Sequence, residues 1–322
     1  MLALILHGWR AWKSAKGVAL LAAVALAVGI GSTTAIYTVI HAVLLKPLPY
    51  QHAERWVSLF GAEVNDPEHY SSLSHPDLLE YQRRNRVFDV FGWYKPTDFN
   101  LTSPGQPQRI RGAEVMPSLA GGVGVNPSLG RWFQDAAGEQ NGVFLAVISD
   151  ALWKRLGADA GILGKTITLN DRLYTVLGVM PPWFRLPVGE VYLDESRSDV
   201  WVPLNPQGDE LSRSNGYYFC YARSKPGVTL AQAEQDVKRV AAELAREFHF
   251  PGYTARLNPI LQILTEEIRP ALLLLLVWLA TQVLSSVASL TTSTGIAWWA
   301  HLGGFATGLA FALVLPKQRM VK

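Results

Sequence analysis

The sequence predicts a membrane protein whose α+β extracytoplasmic domain is bracketed by transmembrane helices. Two apolar runs predict the helices, and mixed periodicity between them predicts the domain. Residues Gly17–Leu45 read GVALLAAVALAVGIGSTTAIYTVIHAVLL and contain no Asp, Glu, Lys or Arg. A bilayer core of ~30 Å needs ~20 apolar helical residues, so this run is long enough to span. A second run begins after Arg269 with Ala271-Leu-Leu-Leu-Leu-Leu-Val277.

The intervening segments can be taken in order. Glu54–Phe60 (ERWVSLF) reads as a strand. Ser74-His-Pro-Asp77 has the pattern of a capped helix start, followed by Leu78, Tyr81 and an Arg83-Arg84 face. Gly142–Ile148 is a short apolar strand, after which Ser149 caps a helix (SDALWKRL) that stops at Gly157. Lys165–Leu169 and Arg172–Val179 flank Asn170-Asp171, the signature of a tight hairpin. Val200–Leu204 is a strand, and Pro203 within it points to a sheet edge. From Thr229 apolar residues recur at Leu230, Ala233, Val237, Val240, Ala241, Leu244 and Phe248, which is helical spacing. Tyr218–Arg223 before this helix and Tyr253–Asn258 after it read as strands, giving a β-α-β unit. Glu54 to about Tyr94 forms a comparable unit, so strand-rich material is inserted between the two.

Composition narrows the function. Across 322 residues the apolar share is 49% and the formal net charge is +3, too small a charge to argue for nucleic acid. Cys220 is the one cysteine, so no internal disulfide can form. Arg10, Lys13 and Lys16 precede the first run and Lys46 follows it, which places the N-terminus inside and the middle domain outside. A cleaved signal peptide is the rival, but the run exceeds an h-region of about 7–15 residues and no A-x-A site closes it. Gly121-Gly-Val-Gly-Val-Asn-Pro lacks G-x-x-x-x-G-K-[ST] and reads as a surface turn before Gly130-Arg131. His69 and His75 flank a polar loop with Asp66 and Glu68, and His249 stands apart. No pair has the spacing of H-E-x-x-H, so these read as solvated loop histidines. No metal and no cofactor is implied.

Ordered pieces of the chain resemble a known family. They are Gly29-Ile-Gly-Ser-Thr-Thr-Ala-Ile-Tyr37, Ala42-Val-Leu-Leu-Lys-Pro-Leu-Pro-Tyr50, Ser74-His-Pro-Asp77, Arg109-Ile-Arg-Gly-Ala113 and Gly130-Arg-Trp-Phe133. They continue with Leu163–Asn170, Tyr174–Pro182, Lys225-Pro-Gly-Val-Thr-Leu-Ala-Gln-Ala233 and Ile268-Arg-Pro-Ala-Leu272. Over roughly residues 8–276 this resembles the MacB-like periplasmic core domain of FtsX-type ABC transporter permeases, in the orphan-permease branch. The resemblance implies a porter-like subdomain built from both β-α-β units, with the middle strands as a second lobe. It implies a subunit that hydrolyses no ATP itself and couples a separate cytoplasmic ATPase to movement of the periplasmic domain. Such movement drives export, or work on lipids or envelope proteins. A second permease chain and membrane lipid are the further partners implied, with no nucleic acid.

The pattern breaks near Val277. Gly295-Ile-Ala-Trp-Trp-Ala-His-Leu-Gly-Gly-Phe-Ala-Thr-Gly308 resembles the last helix of a rhomboid intramembrane protease, over roughly residues 278–316. In that family the His of Ala-His-x-x-Gly is the catalytic base, which maps onto His301. A serine in Gly-x-Ser-Gly is its partner, and no such motif occurs in the chain. His301 is therefore expected to be inert, packed among tryptophans and small residues, and no catalytic residue is expected. Gly304 and Gly308 form G-x-x-x-G, which lets helices approach closely.

The expected organisation is a basic N-terminus (1–16), a transmembrane helix (17–45), the periplasmic domain (46–268), a transmembrane helix (269–291), a rhomboid-like helix (295–316) and a basic tail (317–322). Three spans leave Lys317, Arg319 and Lys322 outside, against the positive-inside tendency. Partial insertion of Leu272–Leu290 is the alternative. Structural roles are expected for Gly29, Gly31 and Thr34 in packing the first helix, and for Lys46, Pro47 and Pro49 in fixing its exit. Ile268, Arg269 and Pro270 are expected to form the return hinge. The expected function is a permease-like subunit in the inner membrane, with an anchored periplasmic binding or scaffold module as the alternative and a protease remnant behind both.

Overall fold

The computed structural model describes residues 17, 50–103, 105–134, 144–186 and 198–266, with 270, 273, 274, 277, 280, 281 and 284 beyond them. The expected spans 17–45, 269–291 and 295–316 lie outside these residues apart from isolated positions. Among the described residues no helix is long and apolar enough to cross a membrane. The chain divides into two units, Leu48–Leu264 and Met1–Pro47 with Thr265–Lys322.

The larger unit begins with β1 (Trp56–Glu63), every residue of which is buried through Ala62. β2 (Asp66–Ser71) folds back on the end of β1 and went unread in the sequence. Helix α1 (His75–Arg84) starts as expected: the Asp77 N–H donates to Ser74 Oγ, which donates in turn to Asp77 Oδ2. β3 (Phe88–Ser103) is sixteen residues long. Then follow β4 (Gln108–Val115), α2 (Pro117–Gly122), β5 (Leu129–Gly130), β6 (Phe144–Ser149) and α3 (Asp150–Arg155). The chain continues through β7 (Thr166–Leu169), β8 (Arg172–Met180), β9 (Val200–Pro203) and β10 (Phe219–Ser224). It ends with α4 (Leu230–Glu247), β11 (Tyr253–Pro259) and α5 (Ile260–Glu266).

Several local expectations hold in detail. Ser149 Oγ accepts from Leu152 N and starts α3. Asn170 and Asp171 take φ of 46° and 63° between β7 and β8, the double left-handed turn that a two-residue hairpin demands. Thr229 and Gln232 form a reciprocal capping box on α4. Ala233, Val237, Val240, Ala241 and Leu244 of α4 are buried, while Leu230, its first residue, stays exposed one turn ahead of that stripe.

The strands form one sheet in the order β11-β1-β10-β3-β4-β9-β6-β8-β5, with β2 on β1 and β7 bridging β3 and β8. The units β1-α1-β3 and β10-α4-β11 interleave, because β10 lies between β1 and β3. This is the ferredoxin-like split β-α-β arrangement. The inserted strands enclose a core of their own around Leu101, Ile148, Ile167 and Val176, as expected of a second lobe. They continue the same sheet, since Tyr94 of β3 pairs with Phe219 of β10 on one side and Val115 of β4 on the other. Pro96 falls just past the β10 pairing and before the β7 pairing, where β3 has β4 as its ladder partner, so a missing N–H is tolerated.

Three expectations need correction. β9 is internal, flanked by β4 (parallel) and β6 (antiparallel). Pro203 is accommodated because β6 pairs only with Val200 and Trp201, leaving the Pro203 end bonded to β4 alone. Gly121 and Gly122 end helix α2, and the sequence after them is no plain surface turn, because Val123 and Val125 are buried. His75 is not a loop residue: it opens α1, and its Nδ1 accepts a 3.1 Å hydrogen bond from Trp93 Nε1. His69 does remain exposed, 2.9 Å from Asp66.

Candidate functional site

The chain is organised around one pole of the sheet. β1 and β11 are antiparallel with Val57 opposite Pro259, so the chain arrives and departs at the same end. Both connections are anchored there. Trp56, 1% exposed, donates from Nε1 to the Gln51 carbonyl at 2.9 Å, and the Gln51 N–H reaches the Val123 carbonyl at 3.4 Å. The Tyr50 hydroxyl donates to the Arg185 carbonyl at 2.7 Å. On the departing side Ile260 of α5, also 1% exposed, enters the apolar cluster that holds Trp56. Burial pushes the Tyr50 hydroxyl above its ordinary range, with the Arg185 charge offsetting part of this, so it stays a neutral donor.

That cluster reaches well into the inserted strands. Trp132, Phe184 and Trp201 pack edge to face with ring centroids 5.3 to 6.0 Å apart. Tyr94 stacks on Tyr221 at 5.9 Å and on Phe219 at 5.7 Å. Arrival, departure and both halves of the sheet thus share one aromatic core. Among the described residues of this pole the polar contacts are those of Tyr50, Gln51 and Trp56 to backbone carbonyls.

Two open grooves lie on this unit. One, of ≈ 240 Å³, is lined by Lys95, Glu114, Phe144, Arg172, Tyr174 and Glu210 among others. Lys95 is bonded there to Glu210 and lies 3.3 Å from Glu114. Burial pulls the lysine pKa down, but these two carboxylates outweigh it and the net shift is upward, so the ammonium is held charged. Glu210 also accepts from Tyr218, and so fastens the connection between β9 and β10. The second groove, of ≈ 430 Å³, runs beside α2 and is lined by Ser118, Gly121, Asn126, Arg131 and Trp132 among others. Cys220 is fully buried and burial pushes its thiol well up, which leaves it an unreactive core residue.

Of the residues singled out from sequence, Gly29, Gly31, Thr34, Lys46, Pro47, Pro49, Ile268, Arg269, His301, Gly304 and Gly308 lie outside the described residues. Pro270 is helical and exposed. Leu273, Leu274, Val277 and Leu284 are likewise helical and exposed. Sequence reasoning missed Trp56 and Ile260 as anchors, because a single buried side chain at a strand or helix start carries no local signal. It missed Lys95–Glu114–Glu210 because pairing β3 with β4 and folding back the loop after β9 is what brings these residues together.

Comparison with known proteins places this geometry. A model of the MacB-like periplasmic core domain matches residues 19–240, and a rhomboid domain model matches residues 250–318. No curated protein matches the chain. Among solved structures, a domain of a permease protein from Porphyromonas gingivalis is 18% identical, covering 65% of this chain and 92% of its own, at a TM-score of 0.49. The extracellular domain of the noncanonical ABC-type transporter YknZ from Gram-positive bacteria is 15% identical, covering 62% and 99%, at 0.44. The periplasmic region of MacB from Actinobacillus actinomycetemcomitans is 14% identical, covering 63% and 89%, at 0.44. The rhomboid match starts before β11, yet Tyr253–Pro259 is a strand paired with β1 along its whole length. The MacB-like match ends inside α4, and β11 beyond it completes the interleaved sheet. With more than half of its length matched and a mixed α/β fold with interleaved β-α-β units, the chain belongs to the MacB-like periplasmic core domain family.

Proposed function

We propose that the chain is a permease-like subunit of an ABC transporter. In this reading it transmits the work of a separate ATPase to the α/β domain and performs no chemistry of its own. The observation that carries the reading is the shared pole: both connections of the domain enter one aromatic core, through Trp56 and Ile260. A displacement applied to either connection is then delivered to the whole sheet. Family membership supports the same role.

The proposed organisation keeps the helix at 17–45, the domain at 46–268, the helices at 269–291 and 295–316, and an inner-membrane location with the domain outside. Gly29, Gly31 and Thr34 pack the first helix, Lys46, Pro47 and Pro49 set its exit, and Ile268, Arg269 and Pro270 form the return. Gly304 and Gly308 pack the last helix. The exposed helical Leu273, Leu274, Val277 and Leu284 support an apolar environment around the second.

Crosslinking in native membranes, followed by purification and mass spectrometry of partners, tests the proposal. Recovery of an ABC ATPase, with or without a second permease chain, is the expected result. Recovery of the chain alone would leave an anchored periplasmic binding or scaffold module. The rhomboid match favours one other reading, an intramembrane serine protease with His301 as base. The sequence offers no Gly-x-Ser-Gly nucleophile to it, and cleavage of a model membrane substrate that is lost on His301→Ala would be its signature.

A further inference from the structure

We infer that the second lobe binds a small molecule carrying one anionic group on a flat apolar body, in the groove beside Lys95. Arg172 takes the anion, and the rings of Phe144 and Tyr174 take the body. The strand pairings close this lobe into a barrel. β3 pairs with β4, β4 with β9, β9 with β6, β6 with β8 and β8 with β7, and β7 returns to β3. Strand alternation then decides what faces inward. Leu101, Ile148, Ile167 and Val176 fill the interior and are fully buried. The same inward rows run on to the groove. Lys95 shares the Phe99 and Leu101 face of β3, Glu114 shares the Ile110 face of β4, and Arg172 and Tyr174 share the Val176 face of β8. Gly112, between Ile110 and Glu114, leaves room for the Phe99 ring, which an added Cβ would meet at 2.6 Å. The groove is therefore the open mouth of the barrel, a recurrent place for small-ligand sites. Its volume is ≈ 240 Å³. A cavity of ~150 Å³ holds benzene, so a ring with a short charged arm fits.

The lining sets the chemistry of the occupant. Phe99 and Val202, both buried, give the mouth an apolar floor. Phe144 and Tyr174, both half-buried, form a wall, with ring centroids 5.2 Å apart. The Arg172 guanidinium lies over the Phe144 ring, 5.2 Å from its centroid. Among the described residues it has no ion pair and no hydrogen bond, and it is exposed. Lys95 is different, because Glu114 and Glu210 both hold it. Of the two cations lining the mouth, Arg172 is thus the one open to an anion. A guanidinium takes a carboxylate through two parallel N–H donors, while an apolar ring packs on the aromatic wall beside it. Two carboxylates against one ammonium leave the Lys95 wall with excess negative charge. That wall repels a second negative group, so the mouth selects a monoanion over a dianion. Burial pushes the Tyr174 hydroxyl above its ordinary range, with Arg172 opposing and Glu114 adding, so it stays a neutral donor at the mouth.

The test is calorimetric titration of the full chain in detergent with hydrocinnamate, a benzene ring on a short carboxylate arm. Micelles without protein set the background. Saturable binding is expected, with a Kd of roughly 0.1–1 mM for a ligand of so few atoms. Arg172→Gln should weaken it about tenfold or more, as loss of a charge-assisted pair does. Asn205→Trp, at an exposed position on the rim, should weaken it too by filling the mouth while Arg172 stays in place. Arg83→Gln, exposed on α1, should bind as the wild type does. The neutral hydrocinnamamide, the cation phenethylamine and the dianion phenylsuccinate should each bind more weakly than hydrocinnamate. No saturable binding of hydrocinnamate, equal binding of the amide, or undiminished binding by Arg172→Gln would overturn the proposal. Every residue invoked lies in the second lobe and no ATPase is present, so failure here leaves the transporter reading standing.

Discussion

Ile260→Ala tests the junction directly. Ile260 is 1% exposed and lies in the cluster with Trp56, whereas its neighbour Leu261 is 45% exposed. The change removes three buried carbons, and at ~0.8 kcal/mol per methylene the transfer loss alone is ~2.4 kcal/mol. A residual cavity adds to this, and buried Ile→Ala changes fall at about 2–5 kcal/mol. Rings of the same cluster pack edge to face, which limits collapse, so about 3 kcal/mol is expected. Hydrogen exchange on the full chain in detergent reads the effect by segment. Amides of β11 and α5 should lose roughly a hundredfold in protection if they open as one unit. Leu261→Ala should change protection little, since exposed substitutions stay within about 0.5 kcal/mol. Equal effects from the two variants, or none from Ile260→Ala, would refute the claim that α5 is anchored through this side chain.

Three further outcomes follow from the same structure. Trp132 Nε1 donates to the Val125 carbonyl at 2.9 Å, while Trp201 Nε1 has no partner among the described residues. Trp132→Phe should therefore cost about 1–2 kcal/mol more than Trp201→Phe in urea unfolding, the difference being the orphaned carbonyl. Gly130 has φ of 72° and an added Cβ would overlap the Leu177 carbonyl oxygen, whereas Gly105, at φ 95°, has open space. Gly105→Ala should cost only the backbone strain of about 1–2 kcal/mol, and Gly130→Ala clearly more, read as yield of folded protein and melting temperature. The third concerns pH. Burial lowers the His75 pKa, with Glu210 opposing, so the unfolded chain binds the proton more readily than the folded one. Stability contributed by neutral His75 is full above the unfolded value near 6.5 and is lost as pH falls toward the depressed folded value. Unfolding measured between pH 7.5 and 5.5 should show this slope in the wild type and a shallower one in His75→Gln, which keeps an acceptor for Trp93.

Legibility in the sequence followed the range of the interactions. The hairpin at Asn170-Asp171, the Thr229–Gln232 capping box and the buried stripe of α4 were readable because a turn or a helix face is decided within a few residues. The two β-α-β units were readable for the same reason. Their interleaving was not, since it rests on β10 pairing with both β1 and β3 across more than a hundred residues. Pro203 misled because proline reports only that one backbone donor is missing, not how many neighbours the strand has. His75 misled because Trp93, which makes it a half-buried acceptor, is brought to it only by the packing of α1 on β3. The pole combines both cases. The apolar runs that imply it are plain in the sequence, yet the anchoring of Trp56, Tyr50 and Ile260 exists only once β1 and β11 lie side by side.

The long strand β3 bears on how force would travel. Sixteen residues at ~3.3 Å each give ~53 Å, and β3 pairs with β10 over its first half and with β4 over its second. Bending one half of the sheet against the other means breaking that ladder near Tyr94, beside the aromatic stack of Tyr94, Phe219 and Tyr221. Lys95 adds a second fastening at the same place, since it joins β3 to Glu114 of β4 and to Glu210 in the connection to β10. On the proposed reading, a domain so built is expected to move as a body, with work delivered at the pole reaching the far strands through this join. Spin labels at Lys238→Cys on α4 and Thr166→Cys on β7, both exposed, should give one narrow distance that does not change when a partner ATPase binds or hydrolyses nucleotide. A distance that broadens or shifts through the cycle would show that the two halves flex, and the coupling would then have to be sought in the join and not at the pole.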